Sequence, residues 1–166
     1  MTTHHDRDSL LAEAVALRTA DRTEEARQRL LVLGERFPED AEIAYQTAWA
    51  HDRLGLEAEA VPFYEAALAG ELSPADRRGA LLGLGSTYRI LGRYEEAVRT
   101  LRSGTEEFPA DGALRTFLAM ALYNVGEAHE GMQLLLHLLT ESSEDAGVRQ
   151  YRAAINHYAK DLTETV

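Results

Sequence analysis

The chain has 166 residues, of which 45% are hydrophobic, 7% aromatic and 27% charged, and its formal net charge is −11. This length suits a single domain with a sizeable core, spanning residues 1–166. The excess of acidic residues argues against nucleic acid or an anionic membrane as the main partner.

Three kinds of feature are missing from the sequence. It has no cysteine, which excludes disulfides, thiolate metal sites and cysteine nucleophiles. It also has no run of about 18 apolar residues, the length that a membrane-spanning helix needs. The first residues, "MTTHHDRDSL", are polar where a secretory signal has a basic start and an apolar run. We therefore expect no membrane partner and a cytoplasmic location.

Turn-forming and small residues recur along the chain with a period of about 34 residues. The turn-forming marks, separated by 34, 37 and 34 positions, are Asp21, Gly55, Gly92 and Gly126. The small residues five positions after each mark are Ala26, Ala60, Ala97 and Gly131. Such a period is typical of helix–turn–helix units. It predicts four of them, at about 7–40, 41–77, 78–111 and 112–145.

Local signals along the chain agree with these units. "TEEA" and "YEEA" put acids into the first turn of a second helix, where the helix dipole favours negative charge. Ser73 and Pro74 supply a capping hydroxyl and a first-turn proline shortly before the third unit. Residues 146–162 repeat the first-helix pattern without a partner, which predicts a terminal capping helix. We expect nine helices in all.

The third unit resembles the tetratricopeptide repeat family. Its matching residues are Leu81, Leu84, Gly85 and Tyr88 in the first helix, followed by Ala97, Leu101, Gly104 and Pro109. The stretches "AYQTAWAHDRLGL" and "GALLGLGSTYRILGRYEEAV" are similar to small stand-alone bacterial members of that family, for which homodimers are suspected. The resemblance implies an all-α fold, a right-handed α-solenoid of about four repeats with a C-terminal capping helix.

This fold accounts for glycines inside predicted helices. Gly85 and Ala97 are expected to let the two helices of one unit approach closely, and Gly104 to do the same against the next unit. Gly92 and Gly126 are expected to end first helices in the left-handed conformation that glycine adopts easily.

In this family the first helices line a concave groove, so the resemblance implies groove positions in this chain. The predicted partner-binding residues are Arg18, Tyr45, Trp49, Arg53, Leu82, Arg89, Met120 and Tyr123. The aromatic and apolar members form a floor, and the three arginines edge it. Tyrosine, tryptophan and arginine are enriched at binding hot spots. The alternative is that Trp49 packs internally and the arginines pair with Asp52 or other acids.

No pattern in the sequence indicates an enzyme, a cofactor or a metal site. Gly83 and Gly85 lack the third glycine and the preceding strand of a dinucleotide-binding loop. His51 is expected to be a packed, hydrogen-bonded core histidine. His4 and His5 could bind a stray divalent metal, but we predict no physiological site there.

The known carboxylate clamp of the family, which binds chaperone C-termini, uses a defined set of lysines and asparagines. The corresponding residues here are Leu11, Val15, Gln46, Gly79 and Gly83. A chaperone co-factor role is therefore excluded.

The fourth unit has a wide apolar face. In "MQLLLHLL", Leu135 and Leu138 are expected to face the core, and their leucine neighbours widen the face beyond one stripe. The terminal helix is expected to cover part of it. The residues predicted as a self-association patch are Leu134, Leu136, Tyr151 and Ile155.

These observations favour a cytoplasmic, non-enzymatic module that binds a peptide segment or a partner protein in its concave groove. Two alternatives stay open at this point. One is a structural homodimer in which the groove is filled by the dimer mate. The other is a regulator that senses a peptide or ligand.

Overall fold

The computed structural model describes residues 4–165, and the side chains of residues 6–165. These residues form ten α-helices and no strand. The helices are α1 (His4–Thr19), α2 (Thr23–Arg36), α3 (Ala41–Arg53), α4 (Glu57–Ala69), α5 (Pro74–Ile90), α6 (Tyr94–Glu107), α7 (Gly112–Asn124), α8 (Ala128–Ser142), α9 (Ala146–Gln150) and α10 (Arg152–Tyr158). Helices α1 to α8 form four hairpins, and each hairpin packs on the next. The predicted all-α solenoid is confirmed.

The turn inside each hairpin contains one residue in the left-handed backbone region. The four residues are Asp21 (φ 62°), Gly55 (φ 73°), Gly92 (φ 75°) and Gly126 (φ 86°). Glycine adopts this region without steric cost, and aspartate tolerates it better than most L-residues. The predicted left-handed ends at Gly92 and Gly126 are confirmed.

Side-chain caps start the first helix of the second, third and fourth hairpins. Ser73 caps α5 as predicted, and Asp40 and Asp111 cap α3 and α7. Each of these aspartates is also bound by an arginine 33 residues earlier, Arg7 for Asp40 and Arg78 for Asp111. The arginine therefore joins the first helix of one hairpin to the start of the next.

Glycines let neighbouring helices approach closely at the predicted positions. A Cβ atom on Gly85 would lie 2.4 Å from Cγ of Leu101, and one on Gly104 would lie 2.8 Å from Cδ2 of Leu114 in the next hairpin. Ala97 is completely buried. Glycine inside a helix costs roughly 1 kcal/mol relative to alanine. Here that cost is offset because leucine side chains pack into the space that a Cβ would occupy.

The C-terminal segment differs from the predicted single capping helix over 146–162. It forms two short helices, because the backbone at Tyr151 (φ −98°, ψ 10°) leaves the helical region. Helix α10 packs on α8 through Asn156, whose Oδ1 accepts a hydrogen bond from Thr140 Oγ1 at 2.9 Å. Neither α9 nor α10 has a buried residue. The segment therefore bends at Tyr151, and α10 is the part of it that packs most on α8.

Candidate functional site

The first helices of the hairpins line the inner face of the solenoid. Helix α3 contacts α1 and α5, and α5 contacts α7. Within residues 4–165 the second helices, α2, α4, α6 and α8, make no such contacts with one another. A stack curves toward the side on which its elements are closest together. The concave groove is therefore the exposed face of α1, α3, α5 and α7.

Trp49 on α3 is the single tryptophan, and 37% of its surface is exposed. Arg18 of α1 covers part of it, with Cζ 3.3 Å from the centroid of the indole ring. This is well inside the distance at which a cation is attracted to an aromatic face. Trp49 is thus neither a core residue nor a fully open one, because a guanidinium covers part of the ring and the remainder stays accessible.

Arg18 differs from its predicted place on the rim, because only 8% of its surface is exposed. Its Nη1 donates a hydrogen bond to Oε1 of buried Gln46. Among the described residues, no carboxylate lies within ion-pair distance of Arg18. Burial lowers the pKa of Arg18, and the nearby positive charge of Arg53 lowers it further. An arginine nevertheless stays protonated at neutral pH, so the groove floor contains a buried cation without a counterion.

The other two predicted arginines lie in different surroundings. Arg53 is exposed, and its Nη2 lies 3.3 Å from Oδ1 of Asp21, which is also exposed. Arg89 on α5 is partly buried, and its Nε is enclosed without a hydrogen-bond partner in the described chain. Oδ1 of Asn124 on α7 is enclosed without a partner in the same way. Two polar atoms of opposite hydrogen-bonding character are therefore unsatisfied on adjacent first helices.

Asp52 does not pair with the arginines, although its position in the repeat places it between them. Its Oδ2 accepts a hydrogen bond from Tyr64 Oη at 3.0 Å, and its Oδ1 accepts one from Thr87 Oγ1 at 3.1 Å. Burial raises the pKa of Asp52, and the two hydrogen bonds only partly oppose that rise. This carboxylate therefore joins α3 to α4 and α5, and it does not neutralise the groove arginines. Of the alternative interpretation, only the pairing of an arginine with another acid is observed, between Arg53 and Asp21.

The apolar members of the predicted floor divide into packed and open residues. Tyr45 and Leu82 are half-buried and pack against the main core. Met120 and Tyr123 on α7 are exposed, and 72% of the tyrosine surface is accessible. Ile90 at the end of α5 is exposed as well. Exposed apolar side chains are therefore present on α3, α5 and α7 of the groove.

Two glycines of α5 shape the site in a way that sequence reasoning missed. A Cβ on Gly79 would lie 2.2 Å from Oη of Tyr45, and one on Gly83 would lie 2.4 Å from Oη of Tyr64. The glycines let both phenols reach α5, and Tyr64 thereby reaches Asp52. The available signal was the excess of glycine in one helix, but it does not reveal which side chain fills each space.

The face of α8 differs from the prediction in two leucines. Leu134, expected in the self-association patch, packs against the main core. Leu135, expected in the core, is 38% exposed. The equivalent positions of the earlier hairpins are almost completely buried, and in those hairpins the second helix packs against the first helix of the next. These positions are Leu30, Tyr64 and Leu101.

The short helices α9 and α10 follow α8 and do not replace such a covering helix. Leu139 and Met132 of α8 are exposed together with Leu135. Of the other predicted patch residues, Tyr151 is exposed, and Leu136 and Ile155 are half-buried. The open apolar face of α8 therefore consists of Met132, Leu135 and Leu139, with Tyr151 on the following segment.

The described residues that were considered for catalysis or metal binding do not form such a site. His51 is buried, with Nδ1 2.7 Å from the Thr47 carbonyl oxygen and its ring stacked on Phe63, as predicted for a core histidine. Among the described side chains, no three histidines, aspartates or glutamates are grouped as for a metal ion. His4 and His5 lie outside those side chains. Within residues 4–165, every helix is too short or too polar to cross a membrane.

A profile described as "Tetratrico peptide repeat" matches residues 41–162 of the chain. The chain belongs to the tetratricopeptide repeat family. A comparison with curated protein sequences found no match.

Solved structures of tetratricopeptide repeat (TPR) proteins have the same fold. "MamA 41-end from Desulfovibrio magneticus RS-1" is similar with a TM-score of 0.74 and 19% identity, covering 94% of this chain and 90% of the other. A crystal structure of MamA protein gives a TM-score of 0.73 at 16% identity, over 97% and 79% of the two chains. YrrB, described as a TPR protein with an unusual peptide-binding site, gives 0.72 at 20% identity, over 93% and 78%.

Proposed function

We propose that this TPR protein binds a peptide segment, or a short stretch of a partner protein, in its concave groove. The observation that supports this most directly is the run of exposed apolar side chains on the first helices. Its members are Trp49, Ile90, Met120 and Tyr123. Several exposed apolar side chains on one face of a protein are typical of a protein contact. The peptide-binding description of the neighbour YrrB supports the same function.

The proposed role is non-enzymatic. The groove residues are arginines, aromatic side chains and a methionine, which supply contact area and hydrogen-bond donors. His51, the histidine on the groove helix α3, is buried and bonded to its own helix. A location in the cytoplasm remains a prediction from the sequence.

Selection of a random peptide library displayed on phage tests this function. The affinity of a selected peptide is then measured by fluorescence anisotropy for the unaltered protein and for Met120→Ala. The matched control is Met132→Ala, which removes a similarly exposed methionine from α8. We expect Met120→Ala to weaken binding about tenfold, or about 1.4 kcal/mol, more than most interface residues lose on truncation, and the control to leave it unchanged. Equal affinity of both variants would place the peptide outside the groove.

The open face of α8 favours a second candidate function, self-association into a homodimer. Leu135 occupies a position that is buried in every earlier hairpin, and Met132 and Leu139 are exposed beside it. Sedimentation analysis tests this candidate. We expect a dimer that Leu135→Glu converts to a monomer, whereas Val32→Glu, at an exposed site on α2, does not. A monomeric unaltered protein at high micromolar concentration would contradict it.

A further inference from the structure

We infer that Arg18 and Arg53 together bind a carboxylate of the peptide segment, directly beside Trp49. This inference rests on the proposed function, since it names the chemistry of the segment that the groove accepts. The carboxylate comes from an acidic side chain or from the C-terminus of the segment.

The first argument is the missing counterion of Arg18. Burying a charge is costly unless the charge is paired. Arg7 and Arg115 have the least exposed side chains of all the ion-paired arginines, and both follow this rule. Arg7 binds Asp40 and Glu42, and Arg115 binds Glu141. Arg18 has only the neutral Gln46 as an acceptor. Acidic residues outnumber basic ones by 28 to 17 in this chain, so the absence of an acid at Arg18 is not a shortage of acids.

The second argument is that Arg18 is held in place for a ligand. Stacking on Trp49 and the hydrogen bond to Gln46 restrain the guanidinium. A guanidinium has five N–H donors in a planar fork that fits a carboxylate. Arg18 donates one hydrogen bond, from Nη1 to Gln46. Within the described residues, its other N–H groups have no protein acceptor. A bound carboxylate would therefore meet donors that are already ordered.

The third argument is the position of Arg53. It follows Trp49 by four residues on α3, so both side chains lie on the face of the helix where Arg18 stacks on the indole ring. Its positive charge also lowers the pKa of Arg18. Its contact with Asp21 is a pair between two exposed groups at 3.3 Å, a kind that contributes little. Arg53 is therefore free to turn toward a ligand. A carboxylate between Arg18 and Arg53 would relieve their mutual repulsion.

The position of the site beside Trp49 adds an apolar requirement. The accessible part of the indole ring lies next to the stacked guanidinium. If the segment has an apolar residue next to its carboxylate, the apolar side chain would lie on Trp49 and the carboxylate would bind the arginines. The expected motif is thus an apolar residue followed or preceded by an acidic one.

Three pools of synthetic hexapeptides without tryptophan or tyrosine test the inference. The first pool contains Leu-Glu and an amidated C-terminus, and the second contains Leu-Gln and the same amide. The third contains Leu-Gln with a free C-terminal carboxylate. Binding is followed by Trp49 emission, at constant ionic strength. We expect the first or third pool to bind about tenfold more tightly than the second, as hydrogen bonds to charged groups are the stronger ones. The pool that shows the preference identifies the source of the carboxylate.

Arginine variants locate the preference. Arg53→Gln is expected to reduce the preference for the carboxylate several-fold, and Arg18→Gln to abolish it. Arg99→Gln on α6 is the matched control, because Arg99 is exposed and has no ion pair in the described chain. If Arg18→Gln does not fold, the preference of the unaltered protein and the effect of Arg53→Gln still test the carboxylate site.

The outcomes separate this inference from the proposed function. Equal binding of all three pools, or a preference that persists in Arg53→Gln and Arg18→Gln, overturns the carboxylate site and leaves the groove intact. If no pool binds while a phage-selected peptide does, the carboxylate site is again overturned alone. If neither the pools nor a phage-selected peptide binds in the groove, both the proposed function and this inference are overturned.

Discussion

Cζ of Arg18 lies 3.3 Å from the centroid of the Trp49 ring, and this contact joins α1 to α3 on the concave face. The guanidinium shields part of the indole ring and keeps its own charge out of water, since only 8% of Arg18 is exposed. Both residues are thereby ordered before any partner binds. Ordering in advance lowers the entropic cost of binding.

Replacement of Trp49 by alanine is expected to lower the free energy of unfolding by about 1–2 kcal/mol, from the lost stacking and partial burial. Leu101→Ala should lower the free energy of unfolding by about 2–5 kcal/mol, because Leu101 is completely buried. Urea denaturation measures both. An equal loss in the two variants would mean that Trp49 belongs to the core.

Two glycine-to-alanine changes should have opposite effects. Gly83→Ala would put a Cβ 2.4 Å from Oη of Tyr64, inside a buried contact, and is expected to destabilise the protein by about 1–3 kcal/mol. Gly34→Ala meets nothing within 4 Å and lies inside α2, so it should stabilise by about 0.5–1 kcal/mol. Thermal melts of the two variants check the sign of each change. A stable Gly83→Ala would show that Tyr64 does not approach α5.

The stability contributed by Asp40 should depend on pH. Burial alone would raise the pKa of Asp40, but the hydrogen bonds from Arg7 and from the Ile43 backbone outweigh it and lower the pKa. A lowered pKa gives stability that is present above the unfolded value, about 3.9, and is lost as the pH falls through the folded value. Asp40→Asn keeps a cap but removes the charge.

Urea denaturation of the unaltered protein and Asp40→Asn at several pH values isolates this effect from the other carboxylates. We expect the unaltered protein to be more stable by about 1–2 kcal/mol at pH 7. The difference should shrink below about pH 4. A difference that stays constant down to pH 3 would show that the Arg7–Asp40 pair does not contribute.

Equivalent leucines of different hairpins should differ in their effect on stability. Leu101→Ala removes a completely buried side chain, whereas Leu135→Ala removes one that is 38% exposed at the same position of the last hairpin. We expect the second change to cost less than half of the first, which is about 2–5 kcal/mol. Denaturation at low protein concentration makes the comparison. A similar cost for both would mean that Leu135 is covered in solution.

The repeat architecture could be predicted because it depends on local steric requirements. A left-handed turn needs glycine or a short polar residue, and a close helix contact needs a small one. Gly92 and Ala97 therefore mark a hairpin in the sequence itself. The family resemblance then placed Trp49 on a groove helix.

The remaining features depend on contacts between distant residues. Whether Arg18 lies on the rim or the floor is decided by Gln46 and Trp49, which are 28 and 31 residues away. Leu135 carries the same apolar signal as Leu101, and only the absence of a covering first helix in this structure leaves it exposed. The bend at Tyr151 likewise has no signal in the residue pattern of 146–162.

Trp49 emission during titration with a selected peptide tests the central claim most directly, because this residue is the only tryptophan and lies in the proposed groove. The peptide should contain no tryptophan. We expect the emission to shift to shorter wavelength and to saturate at the dissociation constant that anisotropy gives. A peptide that binds by anisotropy, loses no affinity in Met120→Ala and leaves Trp49 emission unchanged would contradict binding in the concave groove.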